Sequence, residues 1–119
     1  MAGSNEFDSG LNYGCLQCRV GSEEQLIETI RRRVPEVKAV VARRKHIVCK
    51  NGVHRVDSLV EFPGYVFFSA RGDFDIGRLL GIKGVMAVVR DSDGSWMLRG
   101  EERALAALLF SNDHFRNIF

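Results

Sequence analysis

Five residues of this chain carry chemistry that a metal ion or an oxidant could use: Cys15, Cys18, His46, Cys49 and His54. Cys15-Leu16-Gln17-Cys18 has the C-x-x-C spacing of zinc sites and dithiol redox centres. The surrounding YGCLQCRV reads as a β-strand, however, and residues three apart on a strand point to opposite faces. The two thiols therefore do not readily close on one metal, nor do they sit as a redox pair at a helix N-terminus. A zinc site drawn from all five residues fits no common spacing, so buried small side chains are the better reading. Three cysteines are an odd count, which with no export signal favours reduced thiols.

The remaining reactive groups do not converge. His46 and His54 flank one hairpin and His114 stands in the tail, so no Ser-His-Asp or Cys-His arrangement emerges. Asp91 and Asp93 have the look of a metal pair but fall in a polar turn, where Asp is common for its own backbone reasons. RGDFDIGRLLG contains glycines without G-x-G-x-x-G or a Walker lysine. The chain reads as a binding domain, with no enzymatic activity, metal or cofactor expected.

What it binds is suggested by charge. The formal net charge is only +2, yet nine Lys or Arg residues between Arg31 and Arg55 face a single acid, Glu36. That stretch carries +8 and leaves −6 on the rest, a division that suggests a polyanion at one face and a different partner elsewhere. An ordinary solvated strand pair is the plainer alternative. The 119 residues suit one domain with a modest core. No apolar run approaches the roughly 18 residues of a membrane span, and the N-terminus lacks a signal-peptide layout. A cytoplasmic monomer without membrane contact is expected. MAGSNEFDSG reads as an expression-vector remnant over residues 1–10, which leaves a domain over 11–110 and a tail or linker start over 111–119.

The elements that must position these residues follow from pattern. Residues 12–19 form a first strand. Ser22 and Gln25 suggest a capping box, with Glu23 and Glu24 favouring the helix dipole in the first turn. Leu26, Ile27, Ile30 and Val34 recur at helical spacing, and Pro35 stops the run. VKAVVARRKHIVCK is a β-branched strand that turns at Asn51-Gly52, the strongest short hairpin signal, into VHRVDSLV. This charged hairpin should project or lie at an edge. GYVFFSA, apolar on both faces, should be a central strand. Asp73 or Asp75 can cap a second helix with Ile76, Leu79 and Leu80 inward, stopped at Gly81 or Gly84. VMAVVRD is a last strand, and Glu101 to Phe110 a third helix with Leu105, Leu108 and Leu109 facing in. The order β-α-β-β-β-α-β-α predicts an α+β fold, a ferredoxin-like split β-α-β sandwich with an inserted hairpin.

FPGYVFF, residues 62–68, packs four aromatics around a Pro-Gly step. Alternation sets Tyr65 and Phe67 on one face and Val66 and Phe68 on the other. Pro63 removes a donor ahead of the strand and Gly64 permits a sharp turn into it. Either helices cover both faces, or one face is an exposed aromatic patch of the kind that marks an interaction surface.

EFPGYVFF resembles the F-P-G-Y-V signature of the N-terminal (NGN) domain of NusG-type transcription factors. YGCLQCRVGSEE is similar to that family's opening strand and acidic helix start, LLGIKGVMAVVRD to its T-P-G-V-x-G-F-V-G stretch, and WMLRGEERALAALL to its terminal segment. The likeness runs in order from about residue 12 to 110. Tyr13 replaces the usual Trp, Gly14 the second aromatic, Lys83 the Pro before Gly84, and Ala87 and Val88 a Gly-Phe pair. These departures point to a specialised, antiterminator-type paralogue, with the family's C-terminal KOW domain absent from this chain.

The resemblance implies a domain that binds the clamp helices of the RNA polymerase largest subunit and favours processive elongation. By position, the polymerase-binding residues would be Tyr13, Gln17, Phe62, Pro63, Gly64, Tyr65 and Phe67, with aromatic anchors dominating. Specialised relatives also contact DNA or nascent RNA. The matching positions here are Arg19 and Lys83, beside Arg31, Arg32 and Arg33, with phosphate contacts added by Arg43, Arg44 and Lys45 of the hairpin. The competing reading is an RRM-like or hairpin-specific RNA-binding module without polymerase contact. FPGYVFFSA lacks that motif's basic start and second glycine.

Overall fold

The computed structural model describes residues 10–111, without the side chains of 44–48, 50 and 55–60. Of the remnant expected over 1–10 and the tail expected over 111–119, residues 1–9 and 112–119, with His114, lie outside the described residues. Nine elements run in the order β1 (Leu11–Gln17), α1 (Glu23–Arg33), β2 (Lys38–Val40), β3 (Arg43–Lys50), β4 (Val53–Val60), β5 (Tyr65–Arg71), α2 (Gly77–Leu80), β6 (Ala87–Val88) and α3 (Gly100–Ser111). Four strands make one antiparallel sheet in the order β2-β5-β1-β6, and β3 and β4 pair apart from it. The protein is a mixed α+β fold.

Two apolar layers sandwich the sheet, and strand alternation assigns residues to them. Leu16, Val66 and Phe68 face α1, which contributes Leu26, Ile27, Ile30 and the capping Val34 at the expected spacing. Burying each such side chain is worth roughly 1.5–3 kcal/mol. Cys15, Phe67 and Val40 face the other way, against Ala106 of α3. Helix α1 ends as Pro35 predicts, because the residue before a proline is steered away from helical backbone. Val34 still donates its N–H to the Ile30 carbonyl at 2.8 Å.

Several elements differ from the pattern-based reading. The stretch expected as one strand over 37–50 divides at Val41-Ala42, so β2 joins the main sheet and β3 the hairpin. Both divider residues are buried, Val41 against the α1 layer and Ala42 against the α3 layer. That burial bends the chain between sheets. The turn at Asn51-Gly52 is as read, with φ of 54° and 79°. Helix α2 is a single turn, and the strand expected from VMAVVRD shrinks to Ala87–Val88. Ser22 precedes α1 but its side chain makes no capping bond. Glu23, the first helical residue, instead accepts the Gly21 N–H ahead of the cap on Oε1 at 2.9 Å. An ionised carboxylate is the stronger acceptor for a backbone donor.

Candidate interaction surface

The β1–β5 register assembles most of the expected aromatic group. Gln17 lies opposite Tyr65 and Cys15 opposite Phe67, and Gln17 Nε2 donates to Tyr65 Oη at 3.2 Å. Phe62 meets Phe67 edge-on, with centroids 6.1 Å apart. Tyr13, Gln17, Tyr65 and Phe67 thus share one side of the sheet, and Phe62 and Pro63 sit at its rim.

Helix α3 covers the inner part of that side. Tyr13 packs against Phe110 at 5.6 Å, with the Arg103 guanidinium 5.2 Å from its ring centre. Phe67 is only 8% exposed. Of the two readings left open for this strand, cover holds at Phe67, while solvent reaches Phe62, 38% exposed, with Pro63 and half-buried Tyr13, Tyr65 and Gln17. The facing expected of α3 is corrected for two of its three leucines, Leu105 and Leu108. Ala106 is fully buried, and Leu109 and Phe110 face in, whereas Leu105 and Leu108 are 38% and 56% exposed. A methyl side chain lets the helix approach the sheet more closely than a leucine would. The run ALAALLF is apolar on every side, so periodicity alone could not choose its inner face.

The basic residues do not form one cluster. Arg19, Arg31, Arg32, Arg33 and Lys83 are exposed, and Arg31 pairs with Glu28 within α1 at 3.1 Å. Arg43, at the foot of the hairpin, pairs with Glu24. Arg44 and Lys45 have side chains outside the described residues. Lys83 lines a shallow groove of about 310 Å³ with Ser22, Gln25, Leu26, Thr29 and Gly84. Ser22, Gln25, Thr29 and Arg32 or Arg33 follow one another at three- and four-residue steps along α1.

Of the residues with metal-like chemistry, the His46 side chain lies outside the described residues, and Cys49 Sγ lies 3.9 Å from His54 Nε2. Cys15 lies in the α3 layer and Cys18 in the α1 layer, on opposite faces as alternation requires. Both are buried free thiols. Burial, and then the neighbouring Cys18, push the Cys15 thiol up to about 12. Burial, followed by Glu23, raises Cys18 as well. Asp91 closes its turn by accepting the Asp93 and Ser95 N–H groups at 2.9 and 3.0 Å, and its other oxygen takes Arg99 at 2.6 Å. Among the described residues no group of three or more His, Cys, Asp or Glu could hold a metal ion, and no helix is long and apolar enough to cross a membrane.

The sequence reading missed one contact altogether: Glu23 reaches the Phe62–Tyr65 turn, accepting the Gly64 N–H on Oε2 at 2.7 Å. The first-turn carboxylate was visible, but its partner lies 41 residues away. The chain matches no protein-family model and no curated protein.

Proposed function

We propose that this domain is an NGN-type transcription elongation and antitermination module. It binds the RNA polymerase clamp helices through the Phe62–Tyr65 rim and nucleic acid through its basic groups. The observation that carries this reading is the FPGY turn itself. It presents Phe62 and Pro63 to solvent beside Tyr65 and Gln17, on the rim of a sheet whose inner aromatics are buried. An aromatic rim over a dry interior is suited to a helix tip, because a few desolvated aromatic anchors supply most of an interface's energy. The strand order β2-β5-β1-β6, with a hairpin inserted between β2 and β5, agrees with the split β-α-β plan of that family. A base-stacking platform of the RRM kind would need Tyr13 and Phe67 open, and α3 occupies that space.

The direct test is binding of the purified chain to a clamp-helix fragment of the polymerase largest subunit. Binding that Phe62→Ala removes supports the proposal. Binding to RNA hairpins alone, with none to the fragment, returns the RNA-module reading.

A further inference from the structure

The turn that presents Phe62 is held from another element. Gly64 adopts φ +85° and is buried. Its N–H donates to Glu23 Oε2 at 2.7 Å, and its carbonyl accepts the Cys18 N–H at 2.8 Å. The Tyr65 N–H closes the turn on the Phe62 carbonyl at 3.2 Å. Glu23 is 4% exposed, and its second oxygen is occupied by the Gly21 N–H. A carboxylate is costly to bury unless charge-assisted hydrogen bonds replace its water. This one spends both oxygens on backbone, one at its own helix start and one on the FPGY turn. A pairing partner for Arg43 is already supplied by the adjacent Glu24.

We infer that Glu23 is a positioning residue for the polymerase contact, fixing the pose of Phe62 and Tyr65 through the Gly64 amide. This inference rests on the clamp-helix reading above and names the group that sets its geometry. The charged and titratable groups facing the carboxylate are Arg43 from the foot of β3 and Cys18 after β1. Glu24, on the same helix, is engaged with Arg43.

The experiment combines nuclear magnetic resonance with binding. In ¹⁵N-labelled protein, the Gly64 amide proton should shift in one step as acid protonates Glu23, and the step should vanish in Glu23→Gln. The variant should bind the clamp-helix fragment about tenfold more weakly, the scale of losing one anchor's fit, with the rest of the spectrum native. An unchanged affinity in Glu23→Gln, alongside a loss in Phe62→Ala, overturns the inference. So does a wild-type Gly64 amide that ignores the titration, a readout that stands even where the variant fails to fold. If the wild type does not bind the fragment at all, the polymerase reading fails. The Gly64 titration then decides separately whether Glu23 holds the turn.

Discussion

Trp96 stacks on Phe68, with ring centroids 5.3 Å apart and planes inclined by 29°. The space for this pair exists because residue 14, opposite Phe68 in the register, has no side chain. A Cβ at Gly14 would stand 2.4 Å from Phe68 Cζ and 2.9 Å from Trp96 Cε3. The absence of a side chain at position 14 is thus matched by a tryptophan from a loop far along the chain. Gly14→Ala should overpack this layer and destabilise the domain by about 1–3 kcal/mol, read from chemical denaturation midpoints. A midpoint equal to wild type would show that the ring pair shifts freely.

Acid should weaken the domain through Glu23. The Gly64 N–H, foremost, with the Gly21 N–H and Arg43, holds its carboxyl below the usual carboxylate range against the opposing effect of burial. A depressed folded-state pKa contributes stability that is complete above the unfolded value, about 4.3. That contribution is lost as pH falls through the folded value. Urea midpoints measured from about pH 6 down to pH 3 should fall less steeply in Glu23→Gln than in wild type. Parallel curves would assign the acid sensitivity to other carboxylates.

The thiols should separate by burial. Cys49 is exposed, while Cys15 and Cys18 are buried with raised pKa values. The thiolate is the reactive form, so a thiol-specific reagent should modify Cys49 first in the folded protein and all three cysteines in denaturant. Peptide mapping by mass spectrometry distinguishes the sites. Elemental analysis of protein prepared without added metal should find no stoichiometric zinc on Cys15 and Cys18.

The two proposed surfaces should respond differently to salt. Phe62→Ala or Tyr65→Ala should weaken clamp-helix binding, by about 2 kcal/mol for an anchor, and leave nucleic-acid binding unchanged. Arg32→Ala with Lys83→Ala should do the reverse. Nucleic-acid affinity should fall with salt by roughly 0.7–0.9 in log K per phosphate neutralised, while the apolar contact is nearly insensitive. Loss of nucleic-acid binding in Tyr65→Ala would make the aromatic rim a base-stacking surface. Phe67→Ala is unsuitable here, since truncating a buried Phe costs about 3–5 kcal/mol of stability.

Helix α3 offers a test of facing. Ala106→Leu should destabilise by about 1–3 kcal/mol because the buried methyl touches the sheet. Leu108→Ala, at a half-exposed position, should fall within about 0.5 kcal/mol of wild type. Equal losses at both sites would return Leu108 to the interior.

Local chemistry made much of this fold legible in the sequence. The Asn51-Gly52 hairpin, the α1 stripe ended by Pro35, the Asp91 turn and the opposite facing of Cys15 and Cys18 depend on backbone preferences and strand alternation within a few residues. The β-branched run over 37–50 was legible as extended chain, but its division between two sheets was not. The bend at Val41-Ala42 is enforced by layers that other segments build.

The candidate site divides in the same way. Its aromatic residues and their alternation along β5 could be read directly, and β1–β5 pairing was needed only to bring Gln17 to Tyr65. Which aromatics remain accessible was decided by α3. Its apolar residues encircle the helix, so the face it buries is chosen by the fit of Ala106 against the sheet. The Glu23–Gly64 bond was equally hidden, since a first-turn glutamate has the same local signature whether or not it has a distant partner. Periodicity records what a residue needs from its neighbours along the chain. The closing of α3 over Phe67 and of Glu23 onto Gly64 depends on which surfaces meet, and only packing of the whole chain determines that.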